Sequence, residues 1–145
     1  DSSRGIKKLG QSLSSSQNRF ALVIGNSNYK VAPLKNPEND ARDISKSLSK
    51  LGFKVDLLEN AAHRDMKKAI DSFGERIKSG GVGLFYFAGH GVQVDGRNYL
   101  VPVNADIETE NDVEYESIDT GRVLAKMEDA NNGMNIMILD LALKN

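Results

Sequence analysis

Val82-Gly83-Leu84-Phe85-Tyr86-Phe87-Ala88, running into Gly89-His90-Gly91, is the stretch that decides the fold. An unbroken apolar run bounded by glycines suits a strand buried on both faces, and such strands belong to parallel sheets covered by helices on either side. Phe20-Ala-Leu-Val-Ile-Gly25 and Asn135-Ile-Met-Ile-Leu-Asp140 repeat the pattern on either side of it.

Between these runs the apolar spacing becomes helical. Ala41, Ile44, Leu48 and Leu51 recur at three and four residues, which predicts a helix over 37–51 stopped by Gly52. Met66, Ala69, Ile70, Phe73 and Ile77 predict a second helix before Gly80-Gly81, and Val123, Leu124 and Met127 a last one. A strand is expected over 53–58. Val92-Gln-Val94 and Tyr99-Leu-Val101 flank Asp95-Gly96, a pair suited to a type I′ hairpin turn. Strands alternating with helices give an α/β domain over 20–145, with a mostly parallel sheet and helices on both of its faces.

Residues 1–19 hold six serines together with Arg4, Lys7, Lys8 and Arg19, too little apolar content to offset the entropy of ordering, and read as a flexible leader or linker. They lack the apolar core of a signal peptide, and no run approaches a membrane span. An exported chain whose signal has been removed and a cytoplasmic one are both consistent with this composition. Nineteen basic and 20 acidic residues leave a formal charge of −1, so no general field draws the chain to nucleic acid or an anionic bilayer. Cysteine is absent, which excludes disulfides, thiolate zinc ligation and a cysteine nucleophile in the chain as written. No cofactor and no metal site is expected.

Glu108, Glu110, Asp112, Glu114 and Glu116 alternate with other residues. At a period of two their carboxylates share one face, as on a solvated edge segment. Calcium binding is the alternative, although the EF-hand spacing is missing.

In open α/β sheets ligands sit beyond the carboxyl ends of the strands, so candidate residues follow Ile24, Phe87 and Leu139. His90 lies at such an end between two glycines that permit close approach and unusual backbone angles. A turn histidine without chemistry fits the same residues. His63, within a polar stretch, is expected at the surface. The glycine spacing matches neither a dinucleotide fingerprint nor a P-loop.

Ala21-Leu-Val-Ile-Gly-Asn26 with Tyr29, Leu34-Lys-Asn-Pro-Glu-Asn-Asp-Ala41, Tyr86-Phe-Ala-Gly-His-Gly-Val92, Asn98-Tyr-Leu-Val-Pro102 and Ile138-Leu-Asp140 together resemble bacterial caspase-type peptidases, the orthocaspase and paracaspase-like relatives of caspases and metacaspases. The resemblance runs in order over about 19–145. It implies a three-layer α/β/α caspase-haemoglobinase fold in its large-subunit part, with a small-subunit segment beyond residue 145 supplying further strands and part of the cleft.

It also implies a cysteine endopeptidase in which His90 is the base of a His/Cys dyad and the Gly91 N–H donates to the oxyanion. Asp40 and Asp140 would line a pocket for Arg or Lys on the amino side of the cut bond. Without the resemblance, those aspartates read as a helix-opening residue and a strand-end cap.

The chain departs from this pattern where the family has Asp-Ala-Cys-Arg or Asp-Met-Cys-Arg. It reads Asp140-Leu141-Ala142-Leu143, so Ala142 holds the nucleophile's position. Engineered replacement explains the alanine alone; Leu143 in place of arginine adds a second change that natural decay or wider engineering would explain. The chain is expected to be inactive, with a protein or peptide carrying a basic residue as its partner. A natural pseudopeptidase that binds peptides or proteins is the alternative, and a flavodoxin-like binding domain a third. Self-association through the sheet edge beside the 135–140 strand is expected as well.

Overall fold

The computed structural model describes residues 18–144, so nearly all of the expected leader lies outside the described residues. Strand β1 (Arg19–Gly25) begins one residue before the expected start. It is followed by α1 (Pro37–Lys50), β2 (Lys54–Glu59), α2 (His63–Ile77), β3 (Val82–Val94) and β4 (Arg97–Leu100). Then come α3 (Glu110–Glu116), β5 (Ile118–Asp119), α4 (Thr120–Ala130) and β6 (Met134–Lys144).

Four strands, β2, β1, β3 and β6, lie parallel in that order. The order places β3 centrally, paired to β1 over Val82–Ala88 on one edge and to β6 over Val82–Val92 on the other. Beyond the end of β1, β4 takes over the first edge in antiparallel pairing with Gly91–Val94, and β5 pairs in turn with β4. Asp95 and Gly96 make the hairpin turn with φ of 51° and 77°, the two left-handed positions that a type I′ turn requires.

The alternation of β1 and β3 sorts their side chains onto two faces. Ala21, Val23, Leu84, Tyr86 and Ala88 pack against Ala41 and Leu48 of α1. Leu22, Ile24, Phe85 and Phe87 pack with Met66, Ile70, Phe73 and Ile77 of α2 and Val123 and Met127 of α4. The result is a layered α/β/α unit, and each fully buried phenylalanine contributes about 1.5–3 kcal/mol through removal from water. Helix α1 covers β1, β2 and β3. Ile136 and Ile138 of β6, on the same sheet face, therefore stay 36% and 41% exposed.

Two expectations need correction. The acidic run is not an extended edge segment: over most of its length it is helix α3, opened by a capping box in which Thr109 and Asp112 satisfy each other's backbone N–H groups. At 3.6 residues per turn its carboxylates no longer share a face, and the helix buries Val113. The first core strand after α2 also does not stop at Ala88, because β4 and β6 continue to satisfy its backbone as far as Val94 and Val92. No helix of the described residues is long and apolar enough to cross a membrane.

Gly25 sets the distance between β1 and the start of α1. A Cβ there would stand 2.4 Å from the Pro37 carbonyl oxygen and 2.6 Å from the Ala41 Cβ, neither of which is the end of a flexible side chain. Gly25→Ala should therefore push α1 off the sheet and cost about 1–3 kcal/mol. Urea unfolding checks this, and an unchanged midpoint would show that the helix yields freely.

Candidate active site

The C-terminal half of β3 carries His90 inside a strand rather than in the loop expected after it. Even-numbered residues of β3 face α1, so His90 points to that side, 4% exposed. Its parallel partner in β6 is Ala142, and Ala88 is paired with Asp140. In-register partners share a sheet face, so Asp140, Ala142 and His90 all project toward α1.

Where β1 ends, His90 has no strand partner for its N–H, and the Tyr29 hydroxyl accepts that hydrogen bond at 3.1 Å. The same hydroxyl donates to the Val101 carbonyl at 2.7 Å, while the Val101 N–H donates to the His90 carbonyl at 3.0 Å. The Tyr29 and His90 rings lie with centroids 4.4 Å apart. Gly89 makes this possible through its missing side chain rather than through unusual angles: a Cβ there would lie 2.6 Å from the Tyr29 hydroxyl. Burial pushes the Tyr29 phenol up to about 12, against a smaller opposing effect of its hydrogen bond with the His90 backbone.

Tyr29 is held by a loop whose polar groups are nearly all engaged. Asn26 is fully buried; its Oδ1 accepts from the Ala61 N–H at 2.8 Å and its Nδ2 donates to the Val101 carbonyl at 3.3 Å. Asn60 accepts from the N–H groups of Ser27 and Asn28, and the Ser27 hydroxyl accepts from Glu38 N–H, capping α1 from outside the helix. The loop then turns at Ala32, which takes a left-handed φ of 55° and directs its carbonyl at the His90 Nε2, 2.6 Å away.

The Ala32 carbonyl only accepts, so Nε2 carries a proton in this contact. Nδ1 faces residue 142, 3.4 Å from the Ala142 carbonyl oxygen. This ring nitrogen thus faces the position where the resemblance leads one to expect a nucleophile.

Asp40 and Asp140 are brought together. With Gly89, Leu141 and Ala142 they line one cavity of about 230 Å³, walled on its other side by residues 34–37. Neither carboxylate has an ion-pair partner among the described residues, although Lys35 also lines the cavity. Both charges reach Tyr86 beneath them: burial first, then Asp140 and Asp40, raise its phenol above the usual value. Gly91 is placed differently from a free donor. It is paired with Leu100 on one edge and Leu143 on the other, because β6 runs alongside β3 past Ala142. His63 opens α2, half-buried and away from these groups.

Three contributors carried no assignment in the sequence reading. Asn26 and Tyr29 lie in the loop after β1, where a ligand site was expected, and their burial is the signal that separates them from ordinary loop residues. Ala32 acts through its backbone, and no side-chain pattern reports that.

The family described as Caspase domain matches residues 18–142. Human mucosa-associated lymphoid tissue lymphoma translocation protein 1 is 34% identical over 130 residues, covering 88% of this chain and 15% of that protein. The mouse homolog is 33% identical over 140 residues, covering 95% and 16% respectively. The chain therefore spans less than a fifth of the length of these relatives. Among solved structures, protein GSU0716 from Geobacter sulfurreducens superposes with a TM-score of 0.66 at 20% identity, over 86% of this chain and 50% of that one. At that identity the likeness concerns the fold.

Tyr29→Phe leaves the His90 N–H without its acceptor and should destabilise the chain by about 1–3 kcal/mol near neutral pH. The phenol's folded pKa of about 12 lies above its ordinary value of 10.0, so its stabilisation is fully present below about pH 10 and is lost as pH rises toward 12. The gap in unfolding midpoint between parent and variant should accordingly shrink over that window. Tyr86 titrates high in both proteins and cancels in the comparison. Equal midpoints at neutral pH would show that the hydroxyl contributes nothing.

Proposed function

Because the chain belongs to the caspase domain family of cysteine peptidases, we propose that its cleft receives a polypeptide with Arg or Lys in the Asp40–Asp140 cavity and holds the following peptide bond beside residue 142 and His90. The observation that carries this reading is the register: His90 lies opposite Ala142, and Ala142 lines the cavity that contains both unpaired carboxylates. A guanidinium offers a planar fork of donors to two carboxylates, and each charge-assisted hydrogen bond contributes about 1.5–3 kcal/mol. An acidic side chain would meet like charge there.

With a cysteine at position 142, the chemistry is that of a His/Cys dyad. His90 Nδ1 takes the thiol proton, the thiolate adds to the scissile carbonyl, and the C–N bond breaks as the imidazolium returns the proton to the leaving amine. Water then hydrolyses the thioester, with His90 again acting as base. The Ala32 carbonyl keeps the imidazole oriented. For the Gly91 N–H to stabilise the oxyanion, residues 142–144 must leave the edge of β3, since Leu143 pairs there.

Ala142 has no attacking group, so the chain as it stands binds such peptides without forming an acyl-enzyme. This same alanine favours the second reading, a pseudopeptidase whose cleft serves only to bind. The outer edge of β6 has no strand partner among the described residues and bears Ile136 and Ile138 beside it, which suits pairing with a second copy.

The parent chain should cleave no peptide. In a form extended through the small-subunit segment, Ala142→Cys should gain thiol-dependent turnover that falls by at least about a thousandfold on His90→Ala. Turnover of matched peptides should follow Arg and Lys well ahead of Asp before the cut bond. Asp peptides cleaved best, or an Arg preference untouched by Asp40→Ala, would remove the pocket assignment.

A further inference from the structure

A second cavity, about 560 Å³ in volume, starts at Tyr29 and Val92 on the far side of His90 from the Asp40–Asp140 cavity. Its floor is aliphatic, with contributions from Val92, Val94, Val101, Val103 and Ile107. Its rim is acidic, formed by Asp95, Asp106, Glu108 and Glu110 against one cation, Lys30. None of these four carboxylates has an ion-pair partner among the described residues. Beside the floor stands Val31, 73% exposed, an aliphatic side chain with little cover of its own.

Along β3 the two cavities flank His90, Gly89 lining the first and Val92 and Val94 the second. His90, Val92 and Val94 share one face of β3, and at roughly 3.3 Å per residue Val92 stands about 7 Å and Val94 about 13 Å beyond the histidine. On the other side, Gly89 and Ala142 line the first cavity. A peptide whose amino-side residue fills the first cavity places its cut bond at His90. Its carboxyl-side residues, also spaced at about 3.3 Å, are then carried onto the floor of the second.

We infer that the second cavity is the subsite for the carboxyl side of the same polypeptide, taking an aliphatic side chain followed by Lys or Arg. The inference rests on the peptide-cleft reading above and deepens it. Apolar contact with the valine floor supplies affinity, and the unpaired carboxylates select the flanking charge. It also gives a use to the acidic run at 108–116: its first members lie on the rim, while the capped helix α3 begins at Glu110 and holds them in place.

The parent chain suits the test because Ala142 leaves bound peptides intact. Fluorescence anisotropy would compare labelled peptides that all carry Arg before the candidate bond and then Leu-Lys, Leu-Glu or Gly-Gly, together with one that stops at the Arg. Leu-Lys should bind about tenfold or more tightly than Gly-Gly, as expected for one buried leucine. It should exceed Leu-Glu by about threefold to fivefold, a difference that high salt removes. The double variant Asp106→Lys/Glu108→Lys should invert the Leu-Lys and Leu-Glu order and leave the peptide ending at Arg unaffected.

Equal affinity for all four peptides, with dependence on Arg intact, overturns this subsite and spares the basic pocket. Loss of Arg dependence with the Leu-Lys preference intact overturns the pocket instead. If the Leu-Lys half binds as tightly when detached from Arg, the cavity is a separate docking site and the inference fails. Absence of binding by every peptide overturns both.

Discussion

The hydrogen bond from the His90 N–H to the Tyr29 hydroxyl is the interaction on which the site depends. Strand β3 exchanges one neighbour for another along the same edge, β1 as far as Ala88 and β4 from Gly91 onward. Gly89 and His90 occupy the join, where no strand lies alongside on that edge to receive the backbone, although β6 pairs with them on the other. A buried N–H without an acceptor is costly. Tyr29 fills the gap, and since its hydroxyl also donates to Val101 it fastens the loop after β1 to the segment after β4. The imidazole ring is then fixed from three directions, by the Tyr29 ring, the Ala32 carbonyl and the backbone of β6.

This arrangement separates two kinds of requirement. The sheet and its apolar faces determine which strand positions become neighbours. The polar groups of Asn26, Ser27 and Asn60 determine how the loop between β1 and α1 runs over them. Because Ser27 also caps α1, the loop and the helix bearing Asp40 are positioned together. His90 and the acidic cavity are therefore parts of one connected arrangement rather than two separately placed features.

The strands with unbroken apolar runs, β1, β3 and β6, were legible because a parallel sheet leaves them no polar face to hide the pattern. The 37–50 and 63–77 helices were legible from their spacing, and the hairpin from Asp95-Gly96. The acidic stretch misled because alternation of charge imitates a strand, whereas its conformation is governed by the Thr109–Asp112 cap at its start. His90 was singled out by its flanking glycines and by likeness to a family. The convergence of Asp40 with Asp140 rested on that likeness alone, and the structure places both beside one cavity. The role of Ala32 was illegible in principle, since a carbonyl belongs to every residue and only the path of the chain makes one of them special.

The pairing of β3 with β6 has a consequence for how the molecule comes into being. His90 and Ala142 stand 52 residues apart in the chain, and the contact between them belongs to a parallel ladder that no local turn can start. Loop closure over such a span consumes entropy before any of its contacts form, and folds dominated by distant pairings assemble slowly. An intermediate in which β1, β2 and β3 have already docked would contain a histidine with no partner opposite it. Completion of the sheet and creation of the candidate site are one kinetic event, so a chain halted short of that step carries neither the pairing of His90 with Ala142 nor the acidic cavity.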